Sequence, residues 1–277
     1  MRKRWILGVI GALGFVLAGC GGGDSVPPPP PPSTAPLLTV TYTVPNTPGS
    51  NTVQIFSDLP SDGDIAFDPV RSTYTVMQGP STVLFGIDSA TPNLPEYRAF
   101  LTFPLDGFTG QPFVPGDAVI VSADVEVFVD FLDFASFVTT FLDLVLYPPK
   151  YGGGNGLGSI DPVADFNQLP LATRSPFDFL TSDIGNFLRI EVTSLMQAAQ
   201  VFPPLPDFQI RFSSDIARPG LVGLDDLGTG LAGPASSVPS RSAARKVVET
   251  PRTREGVAPS RRGAAPFPPS VPSARRR

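Results

Sequence analysis

The sequence predicts an all-β fold, a sandwich or barrel of short antiparallel strands. The chain is rich in turn-forming residues, with 34 prolines and 27 glycines, and β-branched and aromatic runs lie between them. The strongest run alternates with a period of two, which places one face of a strand in the core and the other in solvent. Its expected core positions are Val119, Val121, Ala123, Val125, Val127, Val129 and Phe131.

Strands are also predicted ahead of this run. Residues 37–44 alternate between apolar side chains and threonines, which is typical of a half-buried strand. Further strands are expected at 52–56, 73–77, 81–87 and 97–103, with a loop at 104–117. Clusters of Asp, Gly, Pro and Ser separate them and predict turns.

Four phenylalanines follow at a spacing of three, namely Phe128, Phe131, Phe134 and Phe137. Because they lie between two runs of period two, they favour a β-hairpin that turns at 133–136 over a helix. The return strand is expected to reach Tyr147, and the phenylalanines are expected to lie in the core.

The rest of the chain predicts a long Gly- and Pro-rich loop at 148–176 and strands at 187–192, 208–213 and, weakly, 221–224. Ser194 and Gln197 have the spacing of a capping box, which predicts a short helix at 194–200. Residues 228–277 form an Arg- and Pro-rich tail that we expect to be disordered. A closing strand is expected soon after Asp226 and none is evident, so the tail is interpreted as a basic arm or a translated frameshift.

The amino terminus has the layout of a secretory signal. Residues 2–4 are basic, an apolar run of twelve residues follows, and Leu17, Ala18, Gly19 and Cys20 resemble the lipobox of bacterial lipoproteins. We expect cleavage between Gly19 and Cys20, acyl chains on Cys20, and residues 20–36 as a stiff proline-rich tether. The apolar run is shorter than the roughly 20 residues that span a bilayer. Gly21 resembles the residue that directs Gram-negative lipoproteins to the outer membrane.

Composition excludes several function classes. Between residues 20 and 240 the chain has 7 basic and 23 acidic residues, so this part repels nucleic acid. No histidine is present, which excludes Ser-His-Asp, Cys-His and His-ligated metal chemistry. Cys20 is the single cysteine, and its acylation leaves no thiol for a disulfide.

Five segments occur in the order found in one domain family. They are 62–65 (DGDI), 97–105 (YRAFLTFPL), 119–128 (VIVSADVEVF), 190–198 (IEVTSLMQA) and 208–213 (FQIRFS). Together they resemble the DNRLRE-type domain, also described as disaggregatase-related and grouped with family 96 carbohydrate-binding modules. The resemblance implies a jelly-roll-like β-sandwich, expected here over 37–227, of the kind found on secreted and cell-surface proteins.

Two groups of residues are candidate sites. Carboxylates are the ligands that Ca²⁺ takes from acidic loops, and the candidate set is Asp58, Asp62, Asp64, Asp68, Asp225 and Asp226. A solvated acidic turn without a metal is the alternative. Sugar recognition needs an aromatic platform beside polar groups, and Tyr147, Lys150 and Tyr151 form the best candidate patch. Plain loop packing is the alternative for that patch.

These features predict a non-catalytic lipoprotein, held on the outer membrane through Cys20, whose sandwich binds or scaffolds envelope material such as polysaccharide. A purely structural envelope protein without a ligand is the first alternative. A carboxylate-dependent glycan hydrolase or lyase is the second, and no pair of carboxylates in the sequence singles itself out for it.

Overall fold

The all-β prediction is confirmed. The computed structural model describes residues 33–201 and 204–227 and the backbone of 246–249, and this part of the chain is mostly antiparallel β-sheet with two short α-helices. The strands are β1 (Leu37–Thr43), β2 (Asn51–Phe56), β3 (Gly63–Asp68), β4 (Thr73–Gln78), β5 (Thr82–Ile87), β6 (Glu96–Pro104), β7 (Val119–Asp133), β8 (Phe137–Leu144), β9 (Ala172–Leu180), β10 (Phe187–Glu191), β11 (Asp207–Ser214), β12 (Gly220–Asp225) and β13 (Lys246–Glu249). The helices are α1 (Pro162–Asn167) and α2 (Thr193–Ala199).

The strands form one curled sheet whose two halves enclose the core. One half contains β2, β1, β7, β10, β12 and β5, and the other contains β4, β3, β6, β11, β8 and β9. The halves are joined where β5 pairs with β6 at Gly86 and Ile87. The largest apolar cluster lies between them and includes Phe85, Leu101, Val127 and Phe212. A smaller cluster around Phe166 of α1 covers the outer face of β3 and β6.

The long strand β7 organises the first half. Strand β10 pairs along one edge of β7, whereas β12 and β1 lie end to end along its other edge. The backbone of Val129 faces the β10 edge, because its N–H donates to the Asn186 carbonyl and its carbonyl accepts the Gly185 N–H. Strand β12 therefore lies on the opposite edge. The end of β12 therefore meets the start of β1 midway along β7, and we call this junction the seam.

Two β-bulges in β7 change which side chains enter the core. The pairing with β1 skips Val121, and the pairing with β12 skips Asp130. Each bulge inserts one residue and so inverts the alternation beyond it. The core prediction is confirmed for the odd-numbered positions 123–129, but it is wrong for Val119, Val121 and Phe131, where Ile120 and Leu132 are buried instead.

The predicted hairpin at 133–136 is wrong in its pairing. The chain turns there, with Phe134 at a φ of 66°, but β8 pairs with β9 and β11 while β7 pairs with β1, β10 and β12. The turn therefore carries the chain from one half of the sheet to the other. The expectation that all four phenylalanines lie in the core is wrong, since Phe134 is exposed and Phe128 and Phe137 are half-buried. Phe131 is half-buried and packs against a small buried cluster that includes Tyr97 and Leu221.

Two other predictions are refined. The expected loop 148–176 contains α1, which Asp161 caps through a bond to the Val163 N–H, and the start of β9. The helix at 194–200 is confirmed as α2, but no side chain of its N-cap residue forms the expected capping box. Its first N–H, on Thr193, donates to Glu191 instead.

The weakly predicted strand at 221–224 is confirmed as β12, and it is this strand that closes the sheet, not one after Asp226. It is buried throughout and pairs with β5 on one side and β7 on the other. In the tail, the four described residues form β13, which pairs with β4, so the expectation of disorder does not hold for them. Residues 228–245 and 250–277 lie outside the described residues.

Candidate functional site: an aromatic cleft beside a buried acidic pair

The structure does not bring the six candidate calcium ligands together. Asp68 lies at the far end of β3 from Gly63, about 16 Å away by strand geometry. It accepts the N–H groups of Val70 and Arg71 and pairs with the Arg71 guanidinium at 3.2 Å. Asp64 is buried within β3. Among the described residues, no group of three or more acidic side chains is arranged to hold a metal ion.

Asp62 and Asp226 form a buried pair at the seam, with 0% and 1% of their surface exposed. Asp62 Oδ1 accepts the Thr102 N–H at 2.6 Å, and Asp226 Oδ1 accepts the Ser57 hydroxyl at 3.1 Å. The other oxygen of each carboxyl group, Oδ2, is buried without a hydrogen-bond partner among the described residues.

Burial is the main reason that this pair retains a proton. It raises the pKa of Asp62 well above its usual range, and the neighbouring Asp226 raises it further. Burial likewise raises the pKa of Asp226 to about 8, and Asp225 adds to this effect. Neither residue belongs to any of the four ion pairs formed within the described segments. The pair is therefore neither a solvated acidic turn nor an ionised ligand set.

Tyr147 lies behind this pair and not on the surface. Its hydroxyl is 2.6 Å from the Thr102 hydroxyl, and its N–H donates to Gln209 at 2.9 Å. Burial and the nearby Asp62 raise the pKa of Tyr147 well above its usual value. The proposal of Tyr147 as a surface ligand contact is therefore wrong, because its ring packs edge-on against Phe100 in the smaller core.

Tyr151, by contrast, lines a cleft of about 310 Å³. The other side chains that define the cleft are Asp106, Phe108, Pro149, Pro206 and Asp207. The Tyr151 hydroxyl donates to the Asp207 carboxylate, and the Tyr151 and Phe108 rings stack with centroids 5.9 Å apart and planes inclined by 25°. Phe108 keeps 66% of its surface exposed, so one ring face is open to solvent.

Carboxylates hold both rings of the cleft. Asp106 accepts the Phe108 N–H at 2.8 Å, which fixes the turn that presents Phe108. Asp207, at the start of β11, holds Tyr151. Burial and the bond to Asp207 raise the pKa of Tyr151. Burial also raises the pKa of Asp207, and the charges of Asp106 and Asp58 contribute to that shift.

A second cavity of about 190 Å³ adjoins the first. It shares Asp106 and Pro206 with the cleft and extends to Phe113, Val114 and Pro204. Phe113 is exposed and lies in the same loop as Phe108, between β6 and β7. The two cavities together form a groove along this loop.

The loop that carries Tyr151 is attached to the acidic residues. The Lys150 N–H donates to the Ser61 hydroxyl at 2.7 Å, and that hydroxyl donates to Asp58. The Lys150 amine is exposed and donates to the Asn155 carbonyl at 3.3 Å. A Cβ at Gly154 would lie 1.9 Å from the Pro149 carbonyl, so this tight return of the loop requires glycine.

Tyr151 and Lys150 are predicted from the sequence, whereas Phe108, Asp106 and Asp207 are not. Asp106-Gly107-Phe108 is a recognisable turn signal, and a large aromatic side chain in such a turn is often exposed. Asp207 had no local signal, because only the pairing of β11 with β6 brings it beside the loop that follows Pro104.

Gly19, Cys20 and the tether up to residue 32 lie outside the described residues, so their proposed role is not addressed by the geometry. In the segments that are described, no helix is long and apolar enough to cross a membrane. Comparison of the chain with models of protein families, with curated proteins and with solved structures finds no match. The class of protein that the fold and site define is thus a β-sandwich with an aromatic, acidic cleft.

Proposed function

We propose that the chain is a non-catalytic lipoprotein, anchored in the outer membrane through Cys20, whose β-sandwich binds polysaccharide in the cleft at Phe108 and Tyr151. The anchor rests on the lipobox-like residues 17–20, and the domain stands on the proline-rich tether. The resemblance to the DNRLRE-type domain supports a surface role for the sandwich.

The observation that carries the binding proposal is the exposed Phe108 ring stacked on Tyr151 above two carboxylates. A sugar presents an apolar face of C–H groups and a rim of hydroxyls. The open face of Phe108 can pack against the C–H face of the sugar, and the carboxylate oxygens of Asp106 and Asp207 can accept hydrogen bonds from its hydroxyls. Covering the exposed ring with a ligand would remove apolar surface from water, which favours binding.

A binding role suits this cleft better than catalysis. Asp106 and Asp207 are each engaged in holding a ring of the cleft, and Tyr151 is kept protonated by its bond to Asp207. No histidine is present to transfer protons near neutral pH.

Binding is tested by titrating the full chain, purified in detergent, with neutral, cationic and anionic polysaccharides. We expect saturable binding that Phe108→Ala weakens about tenfold, as expected for loss of an aromatic contact. Phe134→Ala removes an exposed ring at the opposite end of β8 and is the matched control. Absence of binding to every polysaccharide would favour a purely structural protein, and release of shortened products would favour a hydrolase or lyase.

The anchor is tested separately by growing a producing bacterium with a palmitate analogue. We expect label on the full chain and none on a Cys20→Ser variant. Membrane fractions should contain the labelled protein in the outer membrane, and Gly21→Asp should move it to the inner membrane. Label that persists on Cys20→Ser contradicts the anchor.

A further inference from the structure

Three carboxylates surround the aromatic cleft. Asp106 and Asp207 line it, and Asp58 lies close enough for its charge to raise the pKa of both Asp207 and Tyr151. All three belong to different segments: Asp58 follows β2, Asp106 follows β6, and Asp207 begins β11. The fold therefore concentrates negative charge at one place on the surface.

No basic side chain of the described residues balances this charge. Four arginines are committed to ion pairs elsewhere: Arg71 with Asp68, Arg98 with Glu96, Arg189 with Asp124, and Arg211 with Asp143. Of the other two, Arg174 donates to the carbonyls of Glu191 and Ser175, and Arg218 lies over the Phe137 ring. Lys150, the nearest in sequence to the cleft, directs its amine to the Asn155 carbonyl. The field in the cleft consequently attracts a cation and repels an anion.

The open face of Phe108 adds a second attraction for a cation. An ammonium group within about 6 Å of a ring centroid is drawn to the electron-rich face of the ring. The same face also packs against the C–H groups of a sugar. A ligand that has both an apolar ring face and ammonium groups uses every feature of this cleft.

We propose that the ligand of the cleft is a cationic amino polysaccharide, a polymer of hexosamine units with free amino groups, whose ammonium groups face Asp106 and Asp207 while a sugar ring covers Phe108. This inference rests on the proposed function. The adjoining cavity at Phe113 shares Asp106 and Pro206 with the cleft, so a polymer can place successive units in both. Polyuronates, which are anionic, are excluded by the same charges.

The test is calorimetric titration of the full chain with four hexamers: glucosamine, N-acetylglucosamine, a uronate and lysine. We expect the glucosamine hexamer to bind about tenfold more tightly than its acetylated form and the uronate not to bind, since acetylation removes both the ion pairs and the cation–π contact. Added salt should weaken binding of the glucosamine hexamer and leave binding of the acetylated hexamer nearly unchanged.

Charge-neutral variants sharpen the assignment. Asp106→Asn and Asp207→Asn each retain an oxygen that can accept the hydrogen bond from Phe108 or Tyr151. Each variant should weaken binding of the glucosamine hexamer about threefold. Asp215→Asn is the matched control, because Asp215 accepts the Ala217 N–H in a similar turn at the other end of β11.

The outcomes separate the two proposals. If acetylated or anionic hexamers bind as tightly as the glucosamine hexamer, the cationic ligand is overturned while polysaccharide binding stands. Equal binding of the lysine hexamer overturns the inference in favour of a cationic peptide. If no sugar hexamer binds, the proposed function itself fails.

Discussion

Asp62 and Asp226 lie close together in the interior, near enough for the charge of Asp226 to raise the pKa of Asp62, although they are separated by most of the domain's sequence. Asp62 belongs to the loop before β3 and Asp226 follows β12, so their contact fastens the closing strand to the β2–β3 loop. The Ser57 hydroxyl donates to Asp226, and the Thr102 N–H donates to Asp62. The contact between these two distant segments is part of what closes the fold.

We expect this pair to make the domain less stable as pH rises from about 4 to about 8. Both pKa values lie above the unfolded value of about 3.9, so the folded state holds more protons in this range and loses its advantage as they dissociate. Asp226→Asn removes one titrating carboxyl group. It should reduce the slope of the unfolding free energy against pH by up to one proton, which corresponds to about 1.4 kcal/mol per pH unit. The melting temperature measured from pH 5 to pH 9 checks this, and parallel curves for the two proteins would contradict it.

We expect the buried ion pair of Arg211 and Asp143 to be important for stability. Their atoms are 2.6 Å apart, the side chains are 5% and 8% exposed, and Arg211 also donates to the carbonyls of Phe166 and Gln168. Asp143→Ala leaves a buried guanidinium without its partner and should cost about 3 kcal/mol in urea unfolding. Arg189→Ala breaks an exposed pair with Asp124 and, as the control, should cost less than about 1 kcal/mol.

Gly86→Ala should strongly destabilise the junction of the two halves. Gly86 has a φ of +110°, and a Cβ there would lie 2.1 Å from the Gly220 carbonyl of β12. The expected loss is about 3 kcal/mol, because the clash adds to the backbone strain. Gly49 also has a positive φ but no atom within 4 Å of a Cβ, so Gly49→Ala should cost only about 1 kcal/mol. Similar losses at the two positions in chemical unfolding would show that the close approach has no effect.

Calcium is not expected to stabilise the domain. The candidate ligands are dispersed, Asp62 and Asp226 hold a proton, and Asp68 is paired with Arg71. Adding Ca²⁺ or a chelator at pH 7 should leave the melting temperature of the full chain unchanged. An increase of several degrees with Ca²⁺ would reveal a bound ion, and binding at this pair would also require its carboxyl groups to lose their protons.

Most strands were predictable because alternation with a period of two is a local property. The first strand and the centre of β7 follow it directly. The alternation predicts the wrong core face at the ends of β7, because bulges opposite β1 and β12 invert the two faces there. The local sequence does not predict a bulge that depends on pairing with distant strands. Strand β12 looked weak because its glycines, Gly220 and Gly223, are required by close neighbours that the sequence does not place beside them.

The sequence by itself determined the fold class, the order of most strands and the short helix α2, because turn residues and alternation act over a few neighbouring positions. Tertiary structure alone decided which carboxylates are buried and which are open. It placed Asp62 against Asp226, and it assembled Asp106, Phe108, Tyr151 and Asp207 into one cleft. These contacts arise from strand pairing between distant segments, and the charge and exposure of each group depend on that pairing.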